Sequence, residues 1–201
     1  MSLALLVVAP VMLLIALAIR LDSPGSALFR CERLGMRARR LWMIKFRKMH
    51  DGAHGLGLTT DDDARFTRVG GLLARFKLDE LPQLWHVLKG EMSLIGPRPE
   101  SPEFAERFPL EYQRITQVKP GLVGLSQLAF ASESRILDDD DPVAHYVGAL
   151  LPQKVRLDEM YVREWSIWMD LRILPWSVPA VLLRAQVAVH RETGRLSLRR
   201  R

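Results

Sequence analysis

The chain has 201 residues, enough for one domain with a sizeable core and cramped for two. With 48% hydrophobic and 26% charged residues it is too apolar for a disordered segment, and its single cysteine, Cys31, excludes an internal disulfide and a cysteine-rich zinc site. The net charge of +6 is concentrated: between residues 30 and 48, Arg30, Arg33, Arg37, Arg39, Arg40, Lys45, Arg47 and Lys48 face only Glu32, and Arg191, Arg195, Arg199, Arg200 and Arg201 crowd the tail.

Such clusters suit nucleic acid, anionic headgroups or phosphorylated substrates equally well, so position has to separate the readings. Residues 3–19, LALLVVAPVMLLIALAI, carry no charge. As a helix they reach about 25 Å, the short limit for crossing a bilayer core. No basic residue precedes them and no small-x-small site follows, which argues against a signal peptide. The bland alternative is a buried core helix. The basic cluster just beyond favours the membrane instead, with the rest of the chain on the cytoplasmic side. A nucleic-acid binder leaves residues 3–19 unexplained. Pro10 removes a backbone donor mid-segment and predicts a kink there. The expected organisation is a membrane-inserted helix, residues 1–22, followed by a cytoplasmic domain, residues 23–201.

Ser23-Pro24-Gly25-Ser26 reads as a turn, and residues 27–31 and 41–46 as two short strands of a hairpin. Residues 50–63 read as a Gly-rich loop and 64–76 as a basic helix. Asp79 is expected to cap a helix over 80–89, with Pro82 tolerable in its first turn and Gly90 closing it. Residues 93–99, SLIGPRP, form a stiff turn; 102–116 read as helix and Lys119-Pro120-Gly121 as another turn. A short strand is expected within 122–130, a loop at the acidic run 138–141, and an amphipathic helix over 150–168. The apolar stretch 171–189 is interrupted by Pro175 and Pro179, and Trp165, Trp168 and Trp176 are compatible with an interfacial belt or with ordinary packing.

The chemistry concentrates in Lys77-Leu78-Asp79-Glu80-Leu81-Pro82-Gln83-Leu84-Trp85. Two acidic residues at a helix start are ordinary capping in most proteins. Combined with Arg98 fixed between two prolines and with Lys45 upstream, they suggest phosphate chemistry with a divalent metal. Four other signals are set aside. The runs Asp138–Asp141 and Asp61–Asp63 read as solvated loops, His50 and His54 lack a third ligand, and His86 is expected to pack or face solvent.

The motifs LFRCERLG (28–35), KFRKM (45–49), RVGGLLARFKLDELPQLWHVLKGEMSLIGPRP (68–99), VKPGLVGLSQ (118–127) and LDEMYVREWSIWMDLRIL (157–174) stand in the order found in the bacterial sugar transferases, the monotopic polyprenyl-phosphate phosphoglycosyl transferases, which the chain resembles from Pro10 to Leu174. The resemblance implies an α+β, predominantly helical catalytic domain with a small β-hairpin, on an N-terminal re-entrant membrane helix that breaks at Pro10. It implies transfer of a sugar 1-phosphate from a UDP-sugar to polyprenyl phosphate, initiating a surface glycan such as exopolysaccharide or O-antigen. Asp79 would be the nucleophile of a ping-pong mechanism and Glu80 its assisting carboxylate, the two also holding Mg2+. Arg98, Lys45 and Arg75 would bind substrate phosphates, and Pro120, Gly121 and Gln127 would line the nucleotide side. Asp158 would be structural or metal-linked. Expected partners are the UDP-sugar, the polyprenyl phosphate, membrane lipids and a second copy in a homodimer, without nucleic acid, at the cytoplasmic face of the bacterial inner membrane. The alternative is a non-catalytic membrane-anchored scaffold that keeps the fold; the presence of Asp79, Glu80 and Arg98 argues against it. The chain departs from the family's usual pattern at Lys77 (usually Ser), at Ala74 (often Arg, with Arg75 as the possible substitute), at Cys31 (often Gln) and at Ala9 (usually Ser before Pro10). It departs again at Ala129-Phe130-Ala131-Ser132, often Asn-Gly-Arg, where sugar specificity becomes unreadable.

Overall fold

The computed structural model describes residues 2–53, 57–60, 63–131, 133–137, 140–182, 187–190 and 194–198. His54, Asp61, Asp62, Ser132, Asp138, Asp139, Arg191 and Arg199–Arg201, all weighed above, lie outside the described residues.

Helix α1, Ser2–Asp22, continues through Pro10 as one element, so the kink expected there does not divide it. Met12, Ile15, Ala16 and Ile19 recur at helical spacing and pack with Phe46, Val69 and Leu73, whereas Leu13, Leu14, Leu17 and Leu21 are exposed. Among the described residues no helix is long and apolar enough to cross a membrane. At the end of α1 the Asp22 carboxylate accepts a 2.9 Å bond from the Val69 N–H.

Strands β1, Leu28–Leu34, and β2, Arg40–Phe46, form the expected antiparallel hairpin, paired from Leu28↔Phe46 to Leu34↔Arg40. The last of the basic cluster is partly consumed in structure: buried Arg47 donates to the carbonyls of Ser23 and Pro24, which fixes the turn after α1. Helix α2, Arg68–Arg75, is shorter than expected because Thr67, not residue 64, caps it. Arg65 is diverted outside the helix, where it grips the Asp63 carboxylate. The start of α2 presses on the chain beyond β2; a Cβ at Gly70 would lie 1.8 Å from Lys48 O, so only glycine fits.

Residues Leu78–Gln83 wind as a 3-10 helix that leads into α3, Leu84–Leu88. This corrects the expected α-helix over 80–89. Pro82 has no N–H to close an α-turn on Leu78, and the segment tightens. Asp79 is not the cap either: Lys77 holds that position with a left-handed φ of 54°. Gly90, at φ 75°, closes α3 as expected. Strand β3, Ser93–Ile95, precedes α4, Pro102–Ala105, and α5, Pro109–Ile115. The single helix expected over 102–116 is split, because Pro109 pushes Phe108 to an extended φ of −135°.

Strand β4, Gly121–Val123, runs parallel to β3 (Ser93↔Gly121, Ile95↔Val123). After α6, Leu125–Ala129, and α7, Pro142–His145, a π-helical turn, Tyr146–Leu150, feeds α8, Leu151–Glu164. Trp165 ends α8 with an extended backbone, earlier than expected. Helix α9, Ile167–Leu182, runs through Pro175 and Pro179 without interruption, and Ser177 Oγ donates to Leu174 O within it. Strands β5, Val187–Val189, and β6, Leu196–Leu198, form a small antiparallel pair.

Among the described residues the architecture is thus mixed and predominantly helical, with three two-stranded sheets. Helix α8 joins the two largest apolar cores. Leu157, Met160 and Tyr161 pack with Leu125, Leu128 and Ile173, while Leu151 and Val155 pack with Phe104, Tyr112 and Tyr146. Each such fully buried side chain contributes about 1.5–3 kcal/mol, so α8 is a rigid base for what lies over it.

Candidate active site

Three segments deliver charged side chains to one place. The end of β2 supplies Lys45 and, just beyond it, Lys48; the 3-10 helix supplies Asp79 and Glu80; the turn after β3 supplies Arg98. Their alignment is set by polar pins. His86 is buried, its Nε2 accepting from the Ile44 N–H at 3.1 Å and its Nδ1 lying 2.6 Å from Glu91 Oε2, so the ring carries its proton on Nδ1. That clamp fastens α3, and with it the carboxylates, to the residue beside Lys45.

Glu80 Oε1 stands 3.1 Å from Lys45 Nζ and 3.1 Å from Arg98 Nη2. Asp79, 4% exposed, points inward, and its Oδ1 has no hydrogen-bond partner among the described residues. A 3-10 helix separates neighbours by about 120°, so the two carboxylates take different directions. Their protonation differs too. Burial, then the adjacent Glu80, push Asp79 above the ordinary aspartate range against the pull of Lys45, Lys48 and Lys77. Burial also opposes ionisation of Glu80, but Lys45 and Arg98 overcome it and hold its carboxyl far below the usual value.

The Arg98 turn is locked from behind. Gly121 N donates to Pro97 O at 2.8 Å and Gly96 N to Val123 O at 2.9 Å. A Cβ at Gly121 would lie 2.1 Å from Gly96 N, so the two strands approach only as glycines. On α8, Asp158 is buried, and its Oδ1 has no hydrogen-bond partner among the described residues. Burial raises its carboxyl to about 7, against the pull of the Ser126 hydroxyl, Lys154 and the Arg98 backbone N–H. Beside it, Glu100 Oε2 accepts from Tyr146 Oη at 2.6 Å, and Lys154 Nζ donates to Tyr146 Oη and Glu133 Oε2, each at 2.8 Å.

Lys45, Lys48, Asp79, Glu80, Arg98 and the Glu100 cluster line an open cavity of about 800 Å3, within the size range of sites for small organic ligands. Of the residues picked from sequence, Asp79, Glu80, Lys45, Arg98, Arg75 and Gln127 line it. Pro120 and Gly121 do not; they are buried in the backbone pairing that supports Arg98. Pro10 lies in α1, outside the cavity lining. Sequence reasoning missed Lys48, although it stood in the KFRKM motif, and missed the Glu100–Tyr146–Lys154–Glu133 cluster, whose members join only through the tertiary fold. Among the described residues no three His, Cys, Asp or Glu side chains gather as a metal cage.

The chain matches the family described as bacterial sugar transferase over residues 1–184. It is 41% identical over 181 residues to a UDP-glucose:undecaprenyl-phosphate glucose-1-phosphate transferase of Caulobacter vibrioides, covering 87% of this chain and 63% of that one. A transferase of the same name from Escherichia coli K12 is 37% identical over 179 residues, covering 86% and 36%. The exopolysaccharide production protein PSS of Rhizobium leguminosarum bv. phaseoli is 36% identical over 192 residues, covering 91% of each chain. The chain therefore spans less than two thirds of the two transferases and most of the Rhizobium protein. A match along nearly the whole chain, including the carboxylates and cations just described, places this protein in the bacterial sugar transferase family.

Proposed function

We propose that the protein is a phosphoglycosyl transferase, moving a sugar 1-phosphate from a UDP-sugar to polyprenyl (undecaprenyl) phosphate and releasing UMP. The observation that carries this reading is the pairing of a desolvated, unpartnered Asp79 carboxylate with Glu80, whose charge is fixed by Lys45 and Arg98. One carboxylate is bare enough to attack, and the other stays anionic.

In the first half-reaction an Asp79 oxygen bonds to the sugar-bearing phosphorus, the bond from that phosphorus to the bridging oxygen breaks, and UMP leaves with the electron pair. Asp79 then carries the sugar phosphate as an acyl phosphate. In the second half, a phosphate oxygen of the polyprenyl carrier bonds to the same phosphorus and the acyl phosphate bond breaks. This frees Asp79 and yields polyprenyl diphosphate sugar. A carboxylate nucleophile thereby divides one hard displacement into two easier ones. Arg98, with a planar fork held by flanking prolines, orients phosphate oxygens, and Lys45 adds charge beside it.

Magnesium fits the same pair. Mg2+ is commonly held by one or two carboxylates with substrate phosphates completing its shell, and Asp79 Oδ1 is a buried oxygen without a partner. Asp79 and Glu80 would hold the ion, which neutralises charge on diphosphate oxygens when bound.

The site would lie at the cytoplasmic face of the inner membrane. Two exposed apolar faces support this: Leu13, Leu14, Leu17 and Leu21 on α1, and Trp168, Leu171, Leu174 and Val178 on α9. Lipid would cover both, with α1 entering as a re-entrant helix. The product would start a surface glycan, as the name of the Rhizobium relative suggests for that protein. The test is UMP release from a panel of UDP-sugars with undecaprenyl phosphate and magnesium. UDP-glucose comes first, being the donor named for the Caulobacter and Escherichia relatives. No UMP from any donor would favour the scaffold reading.

A further inference from the structure

Two pairs of cations in the cavity lining act on the Asp79 and Glu80 carboxylates. Lys45 and Arg98 are both committed to one Glu80 oxygen. Lys48 and Lys77 are not committed to any carboxylate. Lys77 lines the cavity, exposed, and its side chain makes no hydrogen bond or ion pair among the described residues. Lys48, half-buried on the cavity wall, has a single long hydrogen bond to Thr59 Oγ1 at 3.4 Å, sits 5.3 Å from the centre of the Phe66 ring, and forms no ion pair among the described residues.

Both lysines are fixed at the backbone. Lys77 adopts φ 54°, a conformation that a residue with a Cβ resists, directly before Leu78 and Asp79. Strain of this kind persists where the surroundings over-determine it, commonly at ligand sites. Lys48 is fixed through its own carbonyl, which accepts from Thr67 N at 3.1 Å and meets Gly70 so closely that no side chain fits there. Their charges reach Asp79 and each other: burial comes first in pulling Lys48 below the usual lysine range, Asp79 opposes, and Lys45 and Lys77 add to the pull. Neither lysine is tied to the nearby carboxylates by an ion pair among the described residues, which leaves both ammonium groups able to take a further anion.

We infer that Lys48 and Lys77 form a second phosphate subsite on the cavity wall, separate from the Lys45–Arg98 pair and built to take the phosphate that lies across the reacting phosphorus from Asp79. The inference rests on the two-step reaction proposed above. In that sequence the UMP phosphate leaves from, and the polyprenyl phosphate attacks from, the same side of the transferring phosphorus. One subsite can therefore serve both phosphate monoesters, and the pair are specificity residues for the phosphate rather than for the sugar.

The experiment uses the full chain in detergent or lipid nanodiscs. Lys77→Asn accepts a left-handed backbone and removes the charge, Lys77→Arg keeps the charge, and Lys48→Met keeps length and removes charge. UDP binding is measured by calorimetry, and kcat/KM is measured separately for UDP-sugar and for undecaprenyl phosphate, at low and high salt. Lys77→Asn and Lys48→Met are expected to weaken UDP binding and kcat/KM about tenfold or more and to flatten the salt dependence, with Lys77→Arg close to wild type. Loss confined to the UDP-sugar arm identifies the subsite with the leaving nucleotide; loss confined to the undecaprenyl phosphate arm identifies it with the acceptor; loss in both identifies it with both. UDP affinity and both kcat/KM values within twofold of wild type in Lys77→Asn and Lys48→Met overturn the subsite, as does an absence of UDP binding to the wild-type chain. A wild-type chain that binds UDP through these lysines yet releases no UMP defeats the transferase reading alone.

Discussion

Lys45 and Glu80, 35 residues apart in the chain, meet at 3.1 Å, and through that contact the lysine sets the charge of both carboxylates. It pulls Glu80 down directly and also opposes the rise of its neighbour Asp79. Environments that push two titrating groups apart are how a site obtains one bare nucleophile and one fixed anion.

Asp79 must be ionised to attack, and its folded pKa is raised, so kcat/KM for the UDP-sugar should climb with pH as Asp79 loses its proton. Removing Lys45 removes a cation that lowers both carboxylates. Lys45→Met should therefore move the acidic limb of the kcat/KM profile to higher pH, besides reducing its plateau on the order of 100-fold. A profile that merely drops, with its limb in place, would show that Lys45 does not tune Asp79.

Asp79→Asn should abolish turnover, and wild type given donor alone should gain the mass of one sugar phosphate at Asp79 in intact and peptide mass spectra. Glu80→Gln should be strongly impaired. Normal turnover by Asp79→Asn would exclude the covalent route.

Arg98→Lys keeps the charge and loses the two-pronged donor geometry, and it should cost about 2–4 kcal/mol in kcat/KM. Because Gly96 and Gly121 hold the turn through backbone bonds to Val123 and Pro97, the variant should melt close to wild type. Full activity with all substrates would make the arginine structural.

What was legible in the sequence is what local chemistry encodes. The hairpin showed in its apolar residues; residues 32–34 and Arg40 were missed, because Glu32, Arg33 and Arg40 look like loop on an exposed ribbon. Asp79 was found as a functional residue but misplaced as a cap, since a carboxylate before a helix looks the same whether it faces solvent or a cavity. The Pro109 break was readable and overlooked, whereas the continuity of α9 through Pro175 and Pro179 depends on the packing of Ile173 and Ala180. The Glu100–Tyr146–Lys154–Glu133 cluster has no signature in any short window. Its role comes from burial and from partners far along the chain.

Asp158 gives a stability prediction with a definite sign. Its folded carboxyl, at about 7, is raised above the unfolded value near 3.8, so the native state holds the extra proton between those pH values. Stability then falls as pH rises through that window, by at most about 1.4 kcal/mol per unit. Asp158→Asn cannot ionise and should flatten the melting temperature between pH 5 and 8 relative to wild type, measured by calorimetry. An identical slope in the two proteins would mean that Asp158 is ionised in the fold throughout.

The last prediction concerns how α1 meets the bilayer. Pro10 cannot donate to the carbonyl one turn earlier, and in lipid a freed carbonyl is costly unless something satisfies it. Leu13, Leu14, Leu17 and Leu21 are exposed, while Ile19 and Asp22 tie the other side of the helix to Phe46, Leu73 and Val69. With its end anchored to the domain that carries the site, the helix brings that site to the headgroup level if it bends at Pro10 and returns to the same face. The native thiol makes the test simple, since Cys31 is the only cysteine. In a Cys31→Ser background, Ser2→Cys is labelled in intact cells with a membrane-impermeant thiol reagent. A re-entrant helix keeps residue 2 on the cytoplasmic side, so labelling should appear only after lysis. Labelling of intact cells would mean that α1 crosses, with the bilayer thinning locally to match its short apolar stretch, and the re-entrant arrangement would be wrong for this protein.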